Sequence, residues 1–232
     1  MRSGHKKNKE HNRSLITILV IIAVILVLFI ATYFGIIYYR EYKTKKEIAS
    51  RTLRYNNMTF IKENNEWITK FKVGPQPYIM SFYYSPLDAE NVSMEYAGGT
   101  TPVNRIKTFR QFHPDGKVYI TVNPNDSSSV VIAAVEVSKI LGTGYNLYNL
   151  NVSSAVTTQI NDSAYPVITC KDQNSSSTLV IWIVVNKENK LSALGNCIVV
   201  EAKSTNETIL VADALSYRLL NIIQKPADIV IK

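Results

Sequence analysis

The chain has 232 residues, nearly half of them hydrophobic, and a formal net charge of +8 from 26 basic and 18 acidic side chains. Eleven of the basic and three of the acidic residues fall in residues 1–54, so the 15 of each sign left over residues 55–232 cancel. A nucleic-acid-binding domain needs a basic face of its own. Here the excess charge flanks an apolar segment instead, which argues against a nucleic-acid partner and leaves chain enough for one sizeable domain.

That segment, Leu15 to Tyr39, is 25 residues without a charge. At ~1.5 Å per residue it reaches roughly 37 Å, enough to cross a hydrocarbon core of about 30 Å with some tilt. Arg13 and Arg40 bracket it, and Tyr33, Tyr38 and Tyr39 gather at one end, where amphipathic rings favour the headgroup level. The rival readings are a buried core helix and a cleaved signal peptide. Against the second, the run exceeds the ~7–15 apolar residues of a signal and lacks a small-residue cleavage pattern. A pilin subunit also begins with a basic tail and an apolar helix, but "HNRSLITILV" lacks the Gly before the apolar run and the Glu within it that pilin processing uses. The expected organisation is a basic cytoplasmic tail over 1–13, a transmembrane helix over 14–39 with residues 15–39 in the lipid bilayer, and a helical stalk over 40–54. Residues 55–232 then form an extracytoplasmic domain. In the stalk, Glu41 with Lys45 and Glu47 with Arg51 stand in the favourable acid-before-base order.

The domain opens with strands. "MTFIKENNEWITKFKV" holds a polar "KENNE" turn between two runs, and Trp67, Thr69, Phe71 and Val73 alternate with Ile68, Lys70 and Lys72, the period of a half-buried strand. "PYIMSFYY" puts Tyr78, Met80, Phe82 and Tyr84 on one face and completes an antiparallel meander. Ser85 to Thr108, with Pro86, Gly98, Gly99 and Pro102, reads as an irregular surface connection. "HPDG" is a turn, "KVYITV" a strand, and "VVIAAVEVSKIL" a helix stopped by Gly142. "PVITC", "STLVIWIVV" and "NCIVVEA" read as three strands, the last two joined by a turn around "NKENK". In "STNETILVADALSYRLLNII", Ser204 and Glu207 fit a capping box, and Ile209, Ala212, Leu215, Leu219 and Ile222 form one stripe. The expectation is an α+β domain with a mainly antiparallel or mixed sheet and two helices packed on one face.

Charge does not orient the anchor, because five basic residues precede the span and six follow it. N-x-[ST] acceptor patterns do bear on orientation. Eight occur where 20 Asn and 36 Ser or Thr predict about three, an excess that points to a glycosylated outer domain. Asn57, Asn91, Asn125, Asn161 and Asn174 are the glycosylation candidates. Asn151 and Asn206 lie near expected element starts and are weaker, and Asn12 precedes the span. The two cysteines, Cys170 and Cys197, are an even number in what would be an oxidising compartment. If "PVITC" and "CIVV" are antiparallel neighbours, the end of one lies beside the start of the other and the thiols meet, which would stabilise the fold by roughly 3 kcal/mol. Two buried free thiols are the alternative. A catalytic cysteine has no base beyond His113, which reads as an exposed loop residue.

No zincin, nucleophile-elbow, P-loop or C-x-x-C pattern is present, and His113, the one histidine outside the N-terminal tail, assembles no zinc site with two separated cysteines, so neither a catalytic set, a metal nor a cofactor is expected. "GTG" at Gly142–Gly144 follows a helix and reads as a helix stop, and Lys139 after Ser138 reads as helix surface. Glu201 and Asp213 are the one conceivable acid–base pair, for a hydrolase acting on surface glycans; the common reading is two solvated carboxylates.

Two stretches, "YNNMTFIKENNEWITKFKVGPQPYIMSFYYSP" and "ITCKDQNSSSTLVIWIVVNKENKLSALGNCIVVEAKSTNETILVADALSYRLL", resemble small single-pass membrane proteins of small-genome archaea, a group without an established activity. The shared features are Phe60 with Trp67, Cys170 before a polar loop, Gly195 with Cys197, and Ala212 with Asp213. The resemblance implies an archaeal surface setting and paired cysteines. The functional expectation is a non-catalytic module that interacts with a cell-envelope protein or glycan, or has a structural role in the envelope.

Overall fold

A computed structural model describes residues 4–96, 99–159, 164–173, 176–224 and 229–231, with the backbone alone at 4–21, 23 and 229–231. The chain divides into two compact units, Met1–Thr52 and Leu53–Lys232.

The first unit is essentially one helix, α1 (Gly4–Ser50). Its Val24–Ser50 stretch is long and apolar enough to cross a membrane, and none of it is buried in protein. An unbroken helix is what such a segment requires, since lipid offers its backbone no hydrogen-bond partners. Arg51 pairs with Glu47 at 2.8 Å across the predicted i,i+4 step. The helix stops sooner than expected, because Thr52–Tyr55 already forms the first strand, β1.

β1 leads into the predicted meander through β2 (Met58–Glu63), β3 (Glu66–Val73) and β4 (Gln76–Phe82), paired in chain order. The turns have a local cause. Asn56 and Asn57 join the first pair at φ 45° and 62°, and Asn64 and Asn65 the second at φ 49° and 67°. Two consecutive left-handed residues suit a two-residue hairpin whose twist matches its strands, and asparagine tolerates that region. Phe60, Phe71, Met80 and Phe82 are buried on the inner face.

The stretch read as irregular, from Ser85 to Thr108, is instead structured at both ends. It holds a helical turn α2 (Pro86–Ala89), strand β5 (Ser93–Tyr96) and helix α3 (Pro102–Phe112). The two prolines read as part of an irregular connection are helix starters. Each occupies the first helical position, where its missing N–H costs nothing, behind an accepting N-cap hydroxyl from Ser85 and Thr101 respectively.

The second sheet contains, in spatial order, β11 (Ile229–Ile231), β5, β9 (Lys190–Leu194), β10 (Cys197–Ala202), β8 (Thr178–Val185), β6 (Lys117–Val122) and β7 (Asn151–Val156). Two expectations fail here. β8 and β10 are parallel neighbours, because β9 intervenes where a simple turn was expected and pairs antiparallel with β10. Polar Lys190 and Ser192 hide that strand in the sequence. "PVITC" is no strand: Val167 makes a single parallel bridge to Val156, and Cys170 opens a turn of 3-10 helix capped by Thr169.

The two expected helices are α4 (Ser128–Leu141) and α5 (Thr208–Leu219). They pack on each other and on the same sheet face. The expected capping box does not form: the Ser204 hydroxyl donates to the Glu207 carboxylate at 3.1 Å across a 3-10 turn that leads into α5, and neither side chain caps a backbone N–H there. α5 is buried at every position but Leu210, not along one stripe. The seven-stranded sheet covers one side. On the other, the Tyr217 ring lies 4.2 Å from Phe82 and 6.0 Å from Phe60 of the meander. The α+β class is as expected, with the helices enclosed between two sheets around one continuous core.

Candidate functional site

Strand alternation gives the seven-stranded sheet two unlike faces. Val118, Ile120, Leu179, Ile181, Ile183, Leu191, Ile198 and Val200 point into the core beneath α4 and α5. The opposite face carries a much smaller hydrophobic cluster among the described residues, Val180, Cys197 and Val199, with Ile168, Cys170, Trp182 and Val184 packed around them. Cys170 and Cys197 are joined, with Cα atoms 5.3 Å apart. The bond ties residues 164–173 over this face, and the Thr121 hydroxyl donates to the Ile168 carbonyl at 2.7 Å beside it. The pairing is the expected one, but through a capped turn crossing the sheet and not through two antiparallel strands.

Glu201 and Asp213 are not brought together. Glu201 follows Cys197 and Val199 on the disulfide side of β10, with Lys190 3.6 Å away. Asp213 sits on α5, on the helix side. Neither is a solvated surface group: both are buried. Asp213 Oδ2 accepts from the Tyr84 backbone N–H at 2.9 Å, while Oδ1 has no partner. Burial pushes this carboxyl well above its ordinary range, and the nearby Glu136 charge adds to the rise. Tyr217 donates to the Tyr84 carbonyl at 2.7 Å. Lys139, read as helix surface, is largely buried as well; it donates to the Ser81 carbonyl at 2.8 Å and to the Glu136 carboxylate. These bonds fasten the end of β4 to α4 and α5. The cluster is a clamp between layers, and the acid–base pair considered for glycan hydrolysis does not form.

The glycosylation candidates divide by what is described. Asn57, Asn91 and Asn125 are exposed, as are Asn151 and Asn206; Asn161 and Asn174 lie outside the described residues. Asn12 lies in α1, where only the backbone is described. His113 is the C-cap of α3 and half-buried against Phe109, not an exposed loop residue. Gly142 ends α4, its N–H reaching the Ser138 carbonyl at 2.8 Å, as the helix-stop reading of "GTG" required. No group of three metal-ligating side chains occurs among the described residues.

What the sequence pattern did not reveal is a groove at the sheet edge. It lies between α4 and the edge strand β7, with a cavity volume of about 510 Å³. Val131, Val135 and Ser138 of α4 line one side, Val152 and Ser154 of β7 the other, and Tyr145 is also in the lining. Val131 and Val135 are 54% and 55% exposed, an apolar pair one turn apart on the outer side of α4. Their heptad-like spacing is visible in the sequence, but the edge position of β7 depends on the whole strand order.

Compared with protein-family models, curated proteins and solved structures, the chain matches none. Its class rests on its own features: a long apolar N-terminal helix and an α+β domain stapled by one disulfide.

Proposed function

We propose that the chain is a single-pass membrane protein whose domain, residues 55–232, works outside the cytoplasm as an interaction or structural module of the cell envelope, with residues 1–13 on the cytoplasmic side. The Cys170–Cys197 bond carries this reading. Structural disulfides persist in oxidising compartments and are rare in the cytosol, and here the bond follows an apolar helix of membrane-spanning length. The exposure of Asn57, Asn91 and Asn125 suits modification on the same side. The resemblance to archaeal single-pass proteins would place this envelope in an archaeal cell, with a surface protein or glycan as partner.

Protease added to intact cells tests it. The domain is expected to be digested from outside, and intact mass is expected to rise by two hydrogens on reduction. A domain protected until lysis would reverse the orientation and remove the proposal. In-cell crosslinking that captures no envelope component would remove the interaction part alone.

A further inference from the structure

The groove between α4 and β7 has a backbone as well as an apolar wall. Val156 uses its outward-facing edge: its N–H donates to the Pro166 carbonyl at 3.0 Å, and its carbonyl accepts from the Ile168 N–H at 2.9 Å. Thr157 turns inward, donating to Val122 of β6 at 3.0 Å. Alternation along the strand therefore turns the N–H and C=O of Val152 and Ser154 outward too. Among the described residues nothing bonds them. Unpaired edge groups beside exposed apolar side chains form a template for another strand.

We propose that β7 and α4 form the contact with a second copy of this chain, an inference that rests on the envelope-module reading and names its partner. Three observations favour a copy over a foreign peptide. Among the described residues Lys139 is the one charged residue lining the groove, and it is already paired with Glu136, so a two-fold axis brings no like charges from the described lining together. The bridge at Val167 closes the edge beyond Ala155, leaving a strand guest little but Val152 and Ser154 to bond, whereas a copy also contributes its own α4. The anchor confines copies to one plane and raises their effective concentration. The helix adds a concordant feature in the spacing Ala31-x-x-x-Gly35, small residues that permit close helix approach in lipid.

The register follows. With the axis at Ser153, Val152 of one copy stands opposite Ser154 of the other, and each pair exchanges two hydrogen bonds. Ser153 then faces its own counterpart as a non-hydrogen-bonded pair, with Cα atoms ~4.5 Å apart, within disulfide reach. Val131 and Val135 of the two α4 helices flank the axis.

The test uses the full chain in membranes or detergent. Ser153→Cys is expected to give a disulfide-linked dimer, and Lys70→Cys on the outer face of the meander is expected not to. Val135→Lys places like charges across the axis at an exposed helix position, so folding is retained. Its association is expected to fall at least about tenfold by light scattering of the full chain. Asn151 borders the edge, and its sequon is expected to be unoccupied. A chain monomeric at every concentration, crosslinking no stronger at Ser153→Cys than at Lys70→Cys, a dimer untouched by Val135→Lys, or a glycan on Asn151 would overturn the proposal. So would a monomer that captures a different protein through this groove. Protease accessibility on intact cells is independent of oligomeric state, so a monomer with an accessible domain refutes the dimer and leaves the envelope placement standing.

Discussion

The two faces of the seven-stranded sheet solve one problem by different means. Parallel strands are normally covered on both sides, and β10, β8, β6 and β7 form a parallel run. On one face α4, α5 and the meander supply a continuous core. On the other, a hydrophobic cluster of three buried residues lies under a segment fixed by Cys170. Burial holds the first face; on the second a covalent bond stands in for a missing helical layer. A cover of this kind is tight only where it is tethered.

The sharpest way to break that contrast is to remove the tether. The bond closes a loop of sequence separation 27, for which chain entropy gives about 3–4 kcal/mol of stabilisation. Cys170→Ser with Cys197→Ser is expected to lose roughly that amount in chemical denaturation. Hydrogen exchange is expected to rise first in residues 164–173 while α5 stays protected. Uniform loss of protection would mean that the two faces form one cooperative layer.

A smaller effect compares neighbours of identical chemistry. Val200 points under the helices and Val199 under the tethered segment. Val200→Ala is expected to cost about 2–3 kcal/mol and Val199→Ala about 1 kcal/mol, because the cost of a cavity depends on how well its surroundings collapse. Helices pinned between two sheets cannot follow the missing methyls, and a tethered turn can. Equal losses in denaturant midpoint would erase the distinction.

The helix face also contains its own weakness. Asp213 is buried among Tyr84, Tyr217, Glu136 and Lys139, and burial raises its carboxyl well above the ordinary 3.8. The folded state thus favours the protonated form. That contribution is complete below the unfolded value and is lost as pH rises through the folded one, so stability is expected to decline from acid toward neutral pH. Asp213→Asn keeps an acceptor for the Tyr84 N–H and is expected to flatten most of that slope, measured as denaturant midpoint against pH. A residual slope of the same sign is expected from Glu136, which burial also raises. An unchanged slope in Asp213→Asn would show that the clamp is charged in the fold.

The parts legible in the sequence are those decided locally. The long N-terminal helix needs only a run of apolar residues, and the meander only alternation and turns. The order of the second sheet was not legible, since its neighbours are set by contacts between distant segments: β9 is amphipathic and short, and its polar Lys190 and Ser192 mask Leu191 and Ala193. Pro86 and Pro102 misled because proline both stops and starts helices, and only the preceding hydroxyl tells which. The cysteine pair was legible by number and expected compartment, while its geometry was not. Pattern did mark Asp213 and Glu201, but a sheet lies between them, which no spacing reveals.

The meander, which closes the helix face from outside, gives the finest test of local specification. Asn64 and Asn65 hold φ at 49° and 67°, a region that costs an ordinary L-residue roughly 1–2 kcal/mol and asparagine less. Alanine at either position is expected to destabilise by about 1 kcal/mol, and Asn65→Gly to be neutral or slightly stabilising. Asn104→Ala, at an exposed position of α3 outside the left-handed region, is the control, expected to change little. If the hairpin is specified by its own turn, the extra hydrogen exchange in the alanine variants is confined to β2 and β3, and the sheet beneath the helices is unchanged. Loosening that spreads to α5 through Phe60 and Tyr217 would mean the meander is held by the core it covers, and that the helix face, like the disulfide face, depends on a cover tied down from elsewhere.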